Sequence, residues 1–402
     1  MRHTIDNNYL FFFLFFLFVF FDEFFFFILI LTGTSAEQGM KTLEVVPIAG
    51  ITYAMLAYDI LKGRVKGRVL NVLLFLVAIV LLYLLTQLFH DGANPKYRST
   101  LLLILAESIP AAYVGTRLAG SSSITILKID RLLPFFVIPI SITLGTVGVE
   151  YAREAMLIRE DESGLDYQSI SYFMSYSYAY CAYYVFFSPL KNTKNHRFFS
   201  VFMSLDMLFC ALMCLVSGGR GAFVFIIVIS IYILYTLRKS MKGNLGYYFL
   251  IITGVSIAFL SAAFFFDIWN SAGMNRVVGH LTEDVERERL YRLAFQAFEE
   301  SPIVGQGMGS IWYTVSYYSH NIALDLLAET GIIGTVFFLS ILIKTFLGLY
   351  HQMRHQKIAI FLLMIFMGAL LKNAFSGYYL NGIKLFMMCS FVYVMNNSPK
   401  NT

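Results

Sequence analysis

Apolar positions in this chain fall in long unbroken runs, most of them about 20 residues, separated by short polar stretches. They show neither the strict alternation of a half-buried strand nor the one-sided stripe of a soluble amphipathic helix. The runs lie near 10–31, 43–60, 69–89, 99–118, 132–150, 168–189, 198–216, 221–237, 246–266, 322–349, 358–376 and 381–397. At 1.5 Å per residue each can cross roughly 30 Å of hydrocarbon. Transmembrane β-strands would read as segments of about 10 alternating residues, which these are not. The pattern predicts an all-α polytopic membrane protein with about 12 transmembrane helices. The interval from Asp267 to Asn321 is too long to be a simple turn. Within it, helical periodicity over 283–300 sets Leu290, Leu293, Ala294, Ala297 and Phe298 on one apolar stripe. The chain therefore divides into helices one to six (1–197), helices seven to nine (198–266), one large loop (267–321) and helices ten to twelve (322–402).

Composition agrees. Of 402 residues, 58% are hydrophobic and 14% charged, against roughly 45–50% and about 25% in soluble domains. The mean hydropathy is +0.68. Forty Phe and 26 Tyr exclude a disordered, collagen-like or disulfide-scaffold chain. Cys181, Cys210, Cys214 and Cys389 all fall in apolar runs, without metal-ligand spacing.

A net charge of +5 does not point to nucleic acid, because the cations are sorted by topology. Every second loop is basic: Lys62, Arg64, Lys66 and Arg68; Arg117, Lys128 and Arg131; Lys191, Lys194 and Arg197; Arg238, Lys239 and Lys242; Arg354 and Lys357. The other loops hold most carboxylates, including Glu150, Glu160, Asp166, Asp267, Glu283 and Glu299. The positive-inside bias then places both termini in the cytoplasm and the large loop outside, which is the periplasm if the cell is Gram-negative. The first run is longer than a signal-peptide core, although Thr34-Ser35-Ala36 has the small residues of a cleavage site. Asp22 and Glu23 in its middle must face protein or water, or mark a break in the helix.

Phosphate-loop, HExxH and GxSxG signatures are missing from the sequence. What stands out is basic and outward. Ser217-Gly218-Gly219-Arg220-Gly221-Ala222 is a tight turn between two runs. Its glycines suit close approach of backbone N–H groups to an anion, and equally a simple hairpin with Arg220 reaching to headgroups. Arg287, Arg289 and Arg292 offer planar forks for phosphate, or ion pairs for Glu283, Glu286 and Glu288. Tyr291 lies one turn beyond Arg287. Pro302, Gly305, Gly307 and Gly309 form a Pro stop and glycine turn with no preceding strand, so they are not a dinucleotide fingerprint. His320-Asn321 directly precedes a run that contains Glu329, Gly331 and Gly334. Tyr172, Tyr176, Tyr180 and Tyr184 recur every four residues, a spacing that serves sugar stacking or helix packing.

These motifs, in this order, resemble the O-antigen polymerase/ligase superfamily: Ser-x-x-Arg-Gly-Ala, Arg-x-x-x-aromatic, Pro-x-x-Gly-x-Gly-x-Gly, His-Asn and Glu-x-Gly-x-x-Gly, over about residues 215–340. The family usually has Trp where this chain has Tyr291, which leaves the motif arginine open between Arg287 and Arg289. The resemblance implies a fold similar to the C-type membrane glycosyltransferases, in the bacterial inner membrane. It implies undecaprenyl-diphosphate-linked oligosaccharides as substrates, membrane lipid around them, and no metal or nucleotide cofactor. A chain-length regulator and a flippase are the implied protein partners, and nucleic acid is not one. In that light Arg220 with Arg287 or Arg289 would hold the departing diphosphate, and His320 would act as general base. Arg292, Gly305, Gly307, Asn321 and Tyr291 would contact substrate, and Glu329 would orient or pack. A Wzy-type polymerase, extending the glycan by a lipid-linked repeat unit, is the leading reading. A ligase moving polymer to lipid A–core is the alternative, and a polysaccharide transporter is the alternative of another class. A transporter would call for symmetry between the halves and charges at the bilayer midplane.

Overall fold

The computed structural model describes residues 14–15, 17–20, 27, 38–90, 94–119, 123–154, 167–189, 193–217, 219–240, 285–353 and 357–396. The runs expected near 246–266 and, for the most part, near 10–31 lie outside them, as do Asp22, Glu23, residues 34–36 and loop residues 267–284. Among the described residues there are helices and no strands. In chain order they are α1 (Gln38–Leu61), α2 (Arg68–Gln87), α3 (Pro95–Leu118), α4 (Ser123–Glu154), α5 (Tyr167–Phe187), α6 (Lys194–Ser217), α7 (Arg220–Ser240), α8 (Val285–Glu300), α9 (Ile322–Gln352), α10 (Ile358–Phe375) and α11 (Ile383–Asn396). A single helical turn, Ile311–Thr314, precedes α9.

Four stretches are long and apolar enough to cross a membrane: α2, α3, Asn195–Ser217 within α6, and α9. Shorter apolar helical stretches lie in α1, α4, α7, α10 and α11. Leu74, Val77, Leu81 and Leu85 on α2, and Ile333, Val336, Ile343 and Leu347 on α9, are exposed. Such a run of exposed aliphatic side chains suits contact with lipid and would be a liability in water.

Helix α5 is different. From Ile170 to Tyr184 every residue is buried, and α4, α6, α7 and α10 pack around it. A helix that meets protein on every side has no need of a lipid-compatible surface, which accounts for its Ser- and Tyr-rich sequence. Its hydroxyls bond locally or to neighbours, as Tyr178 Oη does to Ser230 Oγ at 2.7 Å.

The helix ends gather into two groups. At one end Asp59 of α1 receives Arg64 (3.5 Å), Arg117 of α3 (3.2 Å) and the Tyr113 hydroxyl (2.6 Å), which draws part of the expected basic set together. At the other end the starts of α5, α7, α9 and α11 meet the end of α10.

Candidate functional site

That second end holds every candidate motif. Its base is a break in α9. Gly331 has φ 61° and ψ −165°, outside the helical region, and a non-glycine residue would be strained there. The break frees the carbonyls of Ala328 and Glu329 and the N–H groups of Ile332 and Ile333, which cannot be left unpaired in a membrane protein interior. Residues 302–307 lie alongside and satisfy all four. Gln306 N donates to Ala328 O and Gly307 N to Glu329 O, both at 2.9 Å. Ile332 N donates to Pro302 O at 2.9 Å and Ile333 N to Ile303 O at 3.2 Å.

The contact is too close for side chains. A Cβ on Gly331 would lie 2.4 Å from the Ile303 carbonyl carbon, and one on Gly305 would lie 2.3 Å from that of Glu329. A Cβ on Gly307 would lie 2.5 Å from Thr86 Oγ1 on α2. The two glycine motifs of the sequence thus fit together backbone to backbone, and the structure places Gly305 and Gly307 against protein at these positions.

The Glu329 side chain is buried and anchors the turn between α10 and α11. Tyr379 Oη donates to Oε2 at 2.6 Å, and Tyr378 Oη lies 2.7 Å from Oε1 and 2.9 Å from Oε2. Burial, with this carboxylate alongside, pushes both phenols well above the usual tyrosine range, so they remain donors. The orienting and packing role expected of Glu329 matches this placement.

His320 sits just before α9 with φ 60°. A positive φ is uncommon for a residue with a Cβ, and such outliers gather at functional sites. The turn is held by Asp325, whose Oδ1 accepts from Ser319 N at 2.8 Å, and by Ser319 Oγ, which bonds the backbone of Asn321. Asn321 caps α9, its Oδ1 accepting from Ala323 N at 3.0 Å and Leu324 N at 3.4 Å. The imidazole is half-buried, edge-on to Tyr318 with ring centroids 4.4 Å apart and 5.4 Å from the Tyr317 ring.

Arg220 opens α7 and is half-buried. Its turn docks on α5: Gly219 N donates to Ser171 Oγ at 2.9 Å, and Ser171 Oγ lies 2.7 Å from Ser217 Oγ. Gly221 meets the Tyr172 hydroxyl so closely that a Cβ would lie 2.3 Å from it. On α8, which packs against α9, Leu290, Ala294 and Ala297 are buried as the apolar stripe requires. Arg287 and Tyr291 lie toward that face and are half-buried, whereas Arg289 and Arg292 are exposed. Arg287 is within electrostatic reach of the Tyr172 hydroxyl.

Tyr172 therefore joins the pieces. Gly221 lies against it, Arg287 is within electrostatic reach of it, and Ser376 Oγ lies 3.5 Å from its Oη. The Ser376 carbonyl accepts from Tyr318 Oη at 3.2 Å, and Tyr318 leads to His320. Of the tyrosine stripe, Tyr172 and Tyr176 face a cavity of about 280 Å³. Tyr180 and Tyr184 pack instead, against Phe361 and His196. The cavity also has Glu107, Lys372, Asn381 and Lys384 in its wall. Sequence reading missed these four. The lysines carried a usable signal, being cations at the end opposite the basic loops. Glu107 lies in a π-helical turn, Ile104–Ser108, that no local motif announces.

A second, apolar groove of about 880 Å³ runs between α2, α9 and α11, past Phe75, Phe338 and Leu342, and reaches Ile322 and Tyr379 beside the site.

Residues 206–339 match a protein-family model described as O-antigen ligase. That stretch contains Arg220, the α8 arginines, the glycine segment, His320 and the start of the broken helix. No curated protein matches the chain.

Proposed function

From a chain whose residues 206–339 carry the O-antigen polymerase/ligase superfamily match, we propose a membrane glycosyltransferase of the polymerase type. It transfers a glycan from a polyprenyl diphosphate to the next lipid-linked repeat unit at the outer face of the bacterial inner membrane. The observation that carries this reading is the meeting of the Arg220 turn, Arg287 and the His320 turn around Tyr172 and Ser376.

The chemistry follows from those groups. A hydroxyl of the acceptor sugar attacks the anomeric carbon of the donor, the C–O bond to diphosphate breaks, and the configuration inverts. His320 takes the proton of the attacking hydroxyl as general base. Arg220 and Arg287 stay positively charged and neutralise the charge that grows on the leaving diphosphate. Tyr318, edge-on to the imidazole, and the capped turn of Asn321 fix the direction of His320. The apolar groove ending at Tyr379 offers a path for an isoprenoid tail. Both termini are cytoplasmic in this reading, and α8 with residues 301–321 faces the periplasm.

The test is the lipopolysaccharide profile of a deletion strain. Core carrying a single repeat unit is the expected result. The family description favours a second reading, a ligase, under which the strain shows bare core and accumulates lipid-linked polymer. An unchanged ladder overturns both.

A further inference from the structure

We propose that the end of the α2–α9–α11 groove farthest from His320 is a binding site for one anionic phospholipid, with its phosphate diester at Lys344 and an acyl chain laid along the groove. This site is independent of the transfer reading, because it lies at the opposite end of the groove and is read out by lipid binding alone.

The direction of the groove follows from its three helices. Helix α9 starts beside the site and ends at Gln352, and α11 runs the same way from Ile383 to Asn396. Helix α2 runs against them, since its last turns bring Thr86 to Gly307. Asn71 in the first turn of α2, His351 in the last turn of α9 and Tyr393 near the end of α11 therefore line the far end of the groove. Asn71 Nδ2 donates to Tyr393 Oη at 3.3 Å, which ties α2 to α11 there. This is also the basic end. Arg68 opens α2 one turn before Asn71, and Lys62, Arg64 and Lys66 precede it.

Lys344 stands deeper than that set. It lines the groove 13 residues past the break at Gly331, about 20 Å at 1.5 Å per residue, and eight residues before the end of α9, about 12 Å. Its side chain is exposed, and so are its neighbours Ile343 and Leu347, which places it on a surface suited to lipid. An ammonium at such a position is costly unless its stem carries it to phosphates. The open end of the groove lets a phosphate approach it. Further along, Phe75, Leu76, Phe338 and Leu342 form an apolar bed for a hydrocarbon chain. The volume of about 880 Å³ is near the upper end of ligand sites, which run roughly 300–1,000 Å³. Among the described residues that line the groove there is no Asp or Glu, so its charge complements an anion. Basic pockets between transmembrane helices on the cytoplasmic side hold acidic lipid headgroups in this way.

The test is native mass spectrometry of the full-length protein in detergent, titrated with phosphatidylglycerol or phosphatidylcholine. Phosphatidylglycerol is expected to bind about fivefold more tightly, the scale of one cation near a lipid phosphate. Lys344→Met should remove that preference, and Lys344→Arg should keep it. If Lys344→Met does not fold, Lys344→Gln carries the same expectation. Arg197→Gln removes an exposed cation of α6, outside the groove, and should leave the preference unchanged. Equal binding of the two lipids by the parent overturns the proposal, as does an equal loss in Arg197→Gln, which would mean diffuse charge rather than a site. Displacement of phosphatidylglycerol by millimolar inorganic phosphate also overturns it, because the acyl chain would then contribute nothing.

Discussion

Glu329 and Tyr379 are tied by a hydrogen bond of 2.6 Å between elements 50 residues apart, the first segment of the broken helix α9 and the turn before α11. Tyr378 joins the same carboxylate. Removing the acceptor leaves two buried hydroxyls unsatisfied, at about 1–3 kcal/mol each. Glu329→Ala should therefore lower the melting temperature and the yield of folded protein. Glu329→Gln keeps an amide oxygen in place and should fold with activity within a few-fold of the parent. An inactive but stable Glu329→Gln protein would make Glu329 a proton acceptor rather than a brace.

Gly331→Ala and Gly305→Ala should each destabilise the protein strongly. Both positions have positive φ, 61° and 72°, which costs an alanine about 1–2 kcal/mol before any clash. The added Cβ then presses on backbone, not on a side chain that can swing away. Gly50→Ala is the control, since nothing lies within 4 Å of a Cβ there. Thermal unfolding of the three variants in one detergent would show the contrast. Equal melting temperatures would mean that the 302–307 segment does not lie on the broken helix.

The helices were legible because hydrophobic period and length are local properties. Helices α1 to α7 and α9 to α11 fall where apolar runs were read, and the stripe of Leu290, Ala294 and Ala297 is buried as its spacing required. The glycine motifs were legible as motifs but not as partners. Nothing in a linear chain says that Gly305 and Gly331 will face each other, because their pairing follows from backbone groups freed by the break in α9. The Tyr172 junction was hidden for the same reason, since Ser376 and Gly221 reach it from distant segments. Arg287 and Arg289 were indistinguishable in sequence. Two positions along a helix is 200° of rotation, so packing one toward α9 exposes the other.

That rotation yields a prediction. Arg287→Ala should reduce glycan extension by at least about tenfold, the scale of a lost charge-assisted contact of roughly 1.5–3 kcal/mol. Arg289→Ala and Arg292→Ala, both at exposed positions, should stay within about threefold. Arg287→Lys preserves charge but not the planar fork, so it should recover only part of the activity. Complementation of a deletion strain, with ladder length read on gels, measures all four. The opposite ranking would move the motif arginine to Arg289.

Val304 is 66% exposed on the segment that satisfies the broken helix, which makes it a reporter of sidedness. Cys181, Cys210 and Cys214 are buried. Val304→Cys should therefore react with an impermeant maleimide on intact spheroplasts, above the background of the parent. Labelling seen only after lysis would put the site in the cytoplasm and exclude a periplasmic transfer.

His320 carries the most exposed commitment of the transfer reading. Its ring stands edge-on to Tyr318, its backbone is held at φ 60° by the Ser319–Asp325 bond, and the Asn321 cap starts α9 one residue later. A positioned base contributes roughly 10²–10⁴ in rate, while groups that bind the diphosphate are separate from it. His320→Ala should thus lower kcat by that factor and leave KM for lipid-linked donor nearly unchanged. His320→Gly relieves the positive φ and should restore stability without activity, which separates chemistry from backbone strain. The parent should work in EDTA, because fixed arginine charge serves where a divalent ion otherwise would. Near-parent turnover in His320→Ala, or activity lost to chelator and restored by a divalent ion, would overturn the mechanism.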